Sequence, residues 1–152
     1  MKLYSAWLVE DDPLVIELAR IAAAESFHEL DFTVLEGVDA ALDWLNGCIA
    51  KNERMPQIIL MDLKLPKLEG LAVLRTMRNY PEIRDVPIVV FSTEHTQDEV
   101  LMSYQVGANS FVAKPADQEQ FSELLREQLA YWIEHHMHNK PVAAKGDVAG
   151  RI

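Results

Sequence analysis

The chain has 152 residues, of which 49% are apolar and 25% are charged, a composition typical of a folded globular domain. Its formal net charge of −10 argues against a nucleic-acid surface or an anionic membrane as a partner. Cys48 is the only cysteine, so no internal disulfide can form, and a reducing cytoplasm is the expected compartment. We also find no apolar run long enough to span a bilayer and no signal-peptide pattern.

The first part of the chain predicts two strands, each followed by a helix. Residues 3–9 predict the first strand, and Pro13 suits the first position of a helix that Asp12 would cap. Residues 32–35 predict a short second strand, which is followed by a helix with Asp39 as its cap. The apolar residues expected to face the core from these helices are Leu14, Leu18, Ile21, Ala22, Leu42, Leu45 and Ile49.

The chain is organised around the third strand, at residues 58–62. Its apolar residues show no alternation with polar ones, which is typical of a strand covered on both faces. The strand ends on a single carboxylate, Asp62, and the loop that follows is broken by Pro66 and Gly70. Open α/β sheets bind their ligands at the carboxyl ends of their strands, so Asp62 is a candidate nucleophile.

The remaining strands and helices continue the alternation. A third helix carries Leu71, Leu74 and Met77 on one face and ends before Pro81. Residues 87–91 and 110–113 predict two further buried strands.

The last two helices have clear starting signals. A capping box from Thr96 to Glu99 begins the fourth helix, which should end near Gly107 and dock loosely because its apolar stripe is weak. The fifth helix begins at Asp117 and continues to His138. Its apolar line contains Phe121, Leu124, Leu125, Leu129, Trp132 and Ile133.

These elements predict one domain over residues 1–138, followed by a flexible tail at residues 139–152 and no output domain. Five strands that alternate with five helices imply a parallel sheet covered on both faces by right-handed crossovers. The expected fold class is therefore α/β, a flavodoxin-like (βα)5 doubly wound sandwich with strand order 2-1-3-4-5.

Polar residues at four strand ends should meet at one edge of this sheet. They are Glu10, Asp11, Asp62, Ser92 and Lys114. Three carboxylates in one crevice repel one another, and Mg²⁺ would relieve that repulsion because it prefers oxygen ligands. We expect Asp11 and Asp62 to be direct ligands, Glu10 to act through water, and the backbone carbonyl of Lys64 to add an oxygen. Asp62 could then attack a phosphorus atom, with Lys114 and Ser92 contacting the phosphoryl oxygens.

The pattern resembles the receiver domains of two-component response regulators. The matching segments are Val9 to Asp12, Asp62 with Pro66 and Gly70, Ser92 with Thr93, and Gly107 to Pro115. The resemblance implies phosphoryl transfer from a partner histidine kinase to Asp62, with Mg²⁺ held by Glu10, Asp11, Asp62 and the Lys64 carbonyl. It also implies a cis bond before Pro115 and a switch role for Phe111, whose ring would turn inward when Ser92 moves toward the phosphate.

Several loops and helix ends are similar to those of the small regulators that serve bacterial and cyanobacterial phytochromes. They are residues 62–67, 81–87, 103–104 and 131–134. This likeness implies a red-light-sensing kinase as phosphodonor and a homodimer formed through helix 4, strand 5 and helix 5. Tyr104 and Trp132 would either contribute to that interface or pack locally.

Two other functions stay open on the sequence alone. One is a chemotaxis-type regulator that binds a motility protein. The other is a Mg²⁺-dependent aspartyl phosphatase, although such enzymes usually carry a second aspartate where this chain has Lys64. For a receiver, we expect no enzymatic turnover beyond its own phosphorylation and dephosphorylation. We also expect an ion pair between Lys64 and Glu94 across the path of the hydrolytic water.

Overall fold

The computed structural model describes residues 4–26, 29–64 and 70–136. Five strands and five helices alternate along these ranges. They are β1 (Tyr4–Val9), α1 (Pro13–Ser26), β2 (Leu30–Leu35), α2 (Val38–Ala50), β3 (Ile58–Asp62), α3 (Gly70–Arg78), β4 (Ile88–Ser92), α4 (Gln97–Val106), β5 (Ser110–Ala113) and α5 (Gln118–Ala130). The predicted tail at residues 139–152, Leu3 and the loop that contains Pro66 lie outside the described residues.

The five strands form one parallel sheet in the order β2-β1-β3-β4-β5, which confirms the predicted flavodoxin-like topology. Val9 of β1 pairs with Met61 of β3, so Glu10 follows β1 at the level of Asp62. Asp62 in turn pairs with Phe91, the residue before Ser92. The register therefore brings the polar strand ends to one edge of the sheet.

Apolar side chains cover both faces of the sheet and leave its carboxyl edge to polar groups. All five residues of β3 are buried, because Ile59 and Met61 face α2 and α3 while Ile58 and Leu60 face α1 and α5. Burying one such aliphatic side chain contributes roughly 1.5–3 kcal/mol to stability. The central strand is thus held firmly, and Asp62 at its end has little freedom to move.

The buried face of α1 differs from the predicted one. Its core contacts come from Val15 and three alanines, whereas Leu14 and Ile21 are 49% and 45% exposed. The prediction that Leu14 and Ile21 face the core is wrong, because small side chains allow α1 to lie close to the sheet and α5. Asp12 caps the helix as predicted, since its Oδ1 accepts a hydrogen bond from the Leu14 amide at 3.0 Å.

Two other helix limits also differ from prediction. Gly37, with a φ of 113° that glycine adopts without strain, precedes α2 and supplies no side-chain cap. Asp39 lies inside the first turn, where its charge still favours the positive end of the helix dipole. Asp117 caps α5 as predicted, but regular helix ends at Ala130 and a π-helical turn follows over Tyr131–His136.

Helix α4 begins with the predicted capping box. The Glu99 amide donates to Thr96 Oγ1 at 3.1 Å, and the Thr96 amide donates to Glu99 Oε1 at 2.9 Å. Ser103 is the only fully buried residue of this helix, in line with its weak apolar pattern, and Leu101 is 59% exposed. Among the described residues, none of the helices combines the length and apolar content that crossing a membrane requires.

Candidate functional site

A cavity of about 380 Å³ opens at the carboxyl edge of the sheet. Its polar lining includes Glu10, Asp11, Asp62, Lys64 and Lys114, which arrive from three different strand ends. Gly70 packs closely against this edge, because a Cβ there would lie only 2.5 Å from the Leu63 carbonyl oxygen. The absence of a side chain at Gly70 therefore lets α3 start directly against the end of β3.

The three predicted acids converge in this cavity. Glu10, Asp11 and Asp62 each offer a carboxylate oxygen, and these oxygens lie within 4.8 Å of one another. Glu10 and Asp62 are buried, whereas Asp11 is exposed. Glu10 Oε2 accepts hydrogen bonds from the amides of Asp11 and Asp12 at 3.1 and 3.2 Å, which fixes the carboxylate in place.

The pKa of Glu10 is shifted by its position among these groups. Burial and the neighbouring charge of Asp62 raise the pKa of Glu10 to about 7, although Lys114 and the Asp12 amide oppose that shift. Near neutral pH the site therefore holds a carboxylate that is only partly ionised. Such a cluster favours a further positive charge.

Lys114 is the resident cation of the site. Its Nζ lies 3.2 Å from Glu10 Oε1 and 3.5 Å from Asp62 Oδ1, and its side chain is 10% exposed. The ammonium also lies 5.2 Å from the ring centroid of Phe91 and 5.8 Å from that of Phe121. The aromatic faces and the two carboxylates together hold this charge beside Asp62 Oδ1.

The resemblance implied a cis peptide bond before Pro115, but this bond is trans in the structure. The described residues contain no cis peptide bond. A trans bond before proline is favoured by roughly 0.5–1 kcal/mol, and here it is compatible with the approach of Lys114 to both acids.

Ser92 is buried, and its hydroxyl bonds within its own loop. Its Oγ donates to the carbonyl of Glu94 at 2.8 Å, and Thr93 rather than Ser92 lines the cavity. The backbone of Ser92 extends the sheet instead, because its carbonyl accepts from the Lys114 amide at 2.9 Å.

Lys64 has a different partner from the predicted one. Its Nζ lies 2.6 Å from Glu99 Oε2, so the predicted pair with Glu94 is wrong. Glu99 is in the first turn of α4, and its capping-box geometry directs the carboxylate toward Lys64. The Lys64 hydrogen bond, followed by that from the Thr96 amide, lowers the pKa of Glu99. The capping box indicated Glu99 in the sequence, but it did not indicate that Glu99 also pairs with Lys64.

Phe111 is half-buried against the core that faces α2 and α3. Its ring centroid lies 4.8 Å from that of His95 in an edge-on arrangement, and its amide donates to the Tyr104 hydroxyl at 3.0 Å. No sequence pattern singles out His95. The three residues connect the loop after β4 with β5 and α4.

The sequence model of the response regulator receiver domain matches residues 6–126. Together with the fold and the acidic cluster, this match defines the class of protein: the chain belongs to the response regulator receiver family. Members of this family are phosphoacceptor signalling domains that histidine kinases phosphorylate.

The chain is similar to one response regulator, Rcp1, in both sequence and structure. Response regulator Rcp1 of Synechocystis sp. is 31% identical over 128 residues, which are 84% of this chain and 87% of Rcp1. The crystal structure of its Mn²⁺-bound form has a TM-score of 0.78 at 27% identity, covering 87% of this chain and 96% of the other.

Two further similar structures are those of phytochrome response regulators. The phosphorylated cyanobacterial phytochrome response regulator RcpA has a TM-score of 0.79 and 28% identity, over 86% of this chain and 94% of RcpA. The bacteriophytochrome response regulator RtBRR is 35% identical with a TM-score of 0.64, over 82% of this chain and 78% of RtBRR. The chain is thus similar to phytochrome response regulators in both sequence and fold.

Proposed function

We propose that Asp62 is the phosphoacceptor of this receiver domain. The observation that carries the proposal is the meeting of Asp62 with Glu10, Asp11 and Lys114 at the end of the central strand. In the transfer, an Asp62 carboxylate oxygen forms a bond to phosphorus while the phosphorus–nitrogen bond of the donor phosphohistidine breaks. The bonding electrons return to the imidazole, which leaves as the neutral base after taking up a proton.

Lys114 and Ser92 have distinct parts in this step. Lys114 is already beside Asp62 and would compensate the charge that accumulates on the phosphoryl oxygens. Ser92 would leave the Glu94 carbonyl and donate its hydroxyl to the new phosphoryl group. This exchange would move the loop after β4, and Phe111 would follow because its ring contacts His95 of that loop.

The donor set of the cavity fits Mg²⁺. Hard carboxylate oxygens from three residues lie together. The pKa of Glu10 is raised by burial first and by the Asp62 charge second, and a bound cation would offset both effects. Asp11 and Asp62 would hold the ion directly, the Lys64 carbonyl would add a ligand, and Glu10 would act through water. When bound, Mg²⁺ neutralises negative charge on the acids and the phosphoryl group.

The partner we propose is a phytochrome-type histidine kinase in the cytoplasm. The names of RcpA and RtBRR support this choice, since both are described as phytochrome response regulators. We further propose a homodimer through α4, β5 and α5, and no nucleic-acid or membrane partner. Exposed Leu101, Met102 and Tyr104 on α4 support the dimer, whereas Trp132 packs within the core beside α5.

Phosphotransfer profiling tests the partner. Autophosphorylated histidine kinases from the same source are mixed with the chain in Mg²⁺, and label transfer is followed over time. We expect the phytochrome-type kinase to transfer at least about tenfold faster than kinases of the chemotaxis class, and to stop at one phosphoryl group per chain. Faster transfer from a chemotaxis kinase would favour the motility regulator, and continued release of phosphate from small esters would indicate a phosphatase.

A further inference from the structure

Glu99 uses its two carboxylate oxygens for two separate tasks. Oε1 accepts the Thr96 amide at 2.9 Å and completes the capping box of α4. Oε2 accepts the Lys64 ammonium at 2.6 Å. The first task stabilises the helix start, while the second connects α4 to the residue two positions beyond Asp62.

The backbone of Lys64 contacts Asp62, the proposed phosphoacceptor. Its amide donates to Asp62 Oδ1 at 3.2 Å, and the residue lines the same cavity as Asp62 and Lys114. The side chains of Lys64 and Glu99 are 32% and 21% exposed, so the ion pair lies at the rim of the cavity rather than in the core. A lysine stem is flexible enough to turn from the rim toward the cavity.

From these contacts we infer that Glu99 is a positioning residue for the phosphoacceptor site. It holds the Lys64 ammonium on α4 and cancels its charge, and so weakens the attraction of the cavity for anionic phosphodonors. With Lys64 paired to Glu99, Lys114 is left to compensate the three carboxylates of the cavity, among the residues that the structure describes. Loss of the Glu99 charge would free Lys64 to act as a second cation at the rim. The inference rests on the proposed phosphoacceptor role of Asp62.

The variant Glu99→Gln separates the two tasks. A glutamine amide oxygen still accepts from the Thr96 amide, whereas the ion pair with Lys64 is lost. Acetyl phosphate, a small anionic donor, serves as the probe: its phosphorus–oxygen bond to acetate breaks as the bond to Asp62 forms, and acetate leaves with the electron pair. We expect Glu99→Gln to lower the KM for acetyl phosphate about threefold or more at low salt, with kcat unchanged, and high salt to remove the difference.

Two control variants test whether Lys64 carries the effect. In a Lys64→Met background, Glu99→Gln should leave the KM unchanged, because no ammonium remains to be released. Thr96→Val removes the side-chain half of the capping box and should also leave the KM unchanged. An equal fall in KM with and without Lys64 would show that the Glu99 charge acts directly rather than through Lys64, and a fall in Thr96→Val would show that helix capping is responsible. Either result would overturn the inference.

The same assay distinguishes this inference from the proposed function. If the unaltered chain gains no phosphoryl group from acetyl phosphate and Mg²⁺, the phosphoacceptor role fails, and the inference fails with it. If the unaltered chain is phosphorylated but Glu99→Gln has an unchanged KM, only the positioning role of Glu99 is wrong.

Discussion

Lys114→Met is expected to slow phosphorylation of Asp62 about a hundredfold or more and to destabilise the fold by about 3 kcal/mol near pH 8. The kinetic loss follows because Lys114 lies 3.5 Å from Asp62 Oδ1, and we propose that Asp62 is the nucleophile. The loss of stability follows because Glu10 and Asp62 are buried and would lose the ammonium that compensates their charge. Transfer rates from the kinase and urea unfolding without Mg²⁺ measure the two effects.

Lys114→Arg is the matched control for charge. Arginine keeps the positive charge but spreads it over a planar group, so it should restore most of the stability and little of the transfer rate. Phosphorylation of Lys114→Met at the unaltered rate would show that this cation takes no part in the reaction.

Glu10→Gln is expected to stabilise the metal-free protein by about 2 kcal/mol near pH 8, and to weaken Mg²⁺ binding. Glu10 is fully buried beside Asp62, so the uncharged amide removes first the cost of burying a carboxylate and second its repulsion from Asp62. Urea unfolding with and without Mg²⁺ measures both effects. The unaltered chain should gain more stability from Mg²⁺ than the variant does.

The difference should depend on pH in a defined direction. The folded-state pKa of Glu10 is raised from its ordinary 4.5 to about 7, so the folded state binds more protons than the unfolded state in that interval. Stability of the metal-free protein therefore falls as the pH rises from about 4.5 to 7, by about 3 kcal/mol in total from this group. Glu10→Gln should abolish this part of the fall.

Glu36→Gln provides the control, since it removes the same charge from an exposed position just after β2. It should leave the pH dependence and the response to Mg²⁺ unchanged. A Glu10→Gln protein that is less stable than the unaltered chain at high pH would show that the Lys114 contact outweighs the repulsion from Asp62.

The sequence was sufficient to predict the strand order and the meeting of the acids. Both depend on strong local signals: β3 is apolar up to Asp62, Glu10 directly follows β1, and β4 ends on Ser92. A parallel sheet then leaves little choice about which edge those residues share. Glu10, Asp11, Asp62 and Lys114 lie together for this reason.

Features that depend on side-chain direction could not be predicted in the same way. Leu14 and Val15 are adjacent apolar residues, and only the close packing of α1 decides that Val15 is buried. Lys64 has acidic neighbours at Glu94 and Glu99, and the three-dimensional position of α4 selects Glu99. The Ser92 hydroxyl likewise points to an acceptor in its own loop, the Glu94 carbonyl.

The central claim is that Asp62 alone receives the phosphoryl group, and mapping the label tests it most directly. The unaltered chain and Asp62→Asn are incubated with the cognate autophosphorylated kinase and Mg²⁺, and bound label is quantified and located. We predict one phosphoryl group on Asp62 of the unaltered chain and none on the folded variant. Stable label on another side chain of Asp62→Asn, with the same change in binding or dimerisation, would contradict the account.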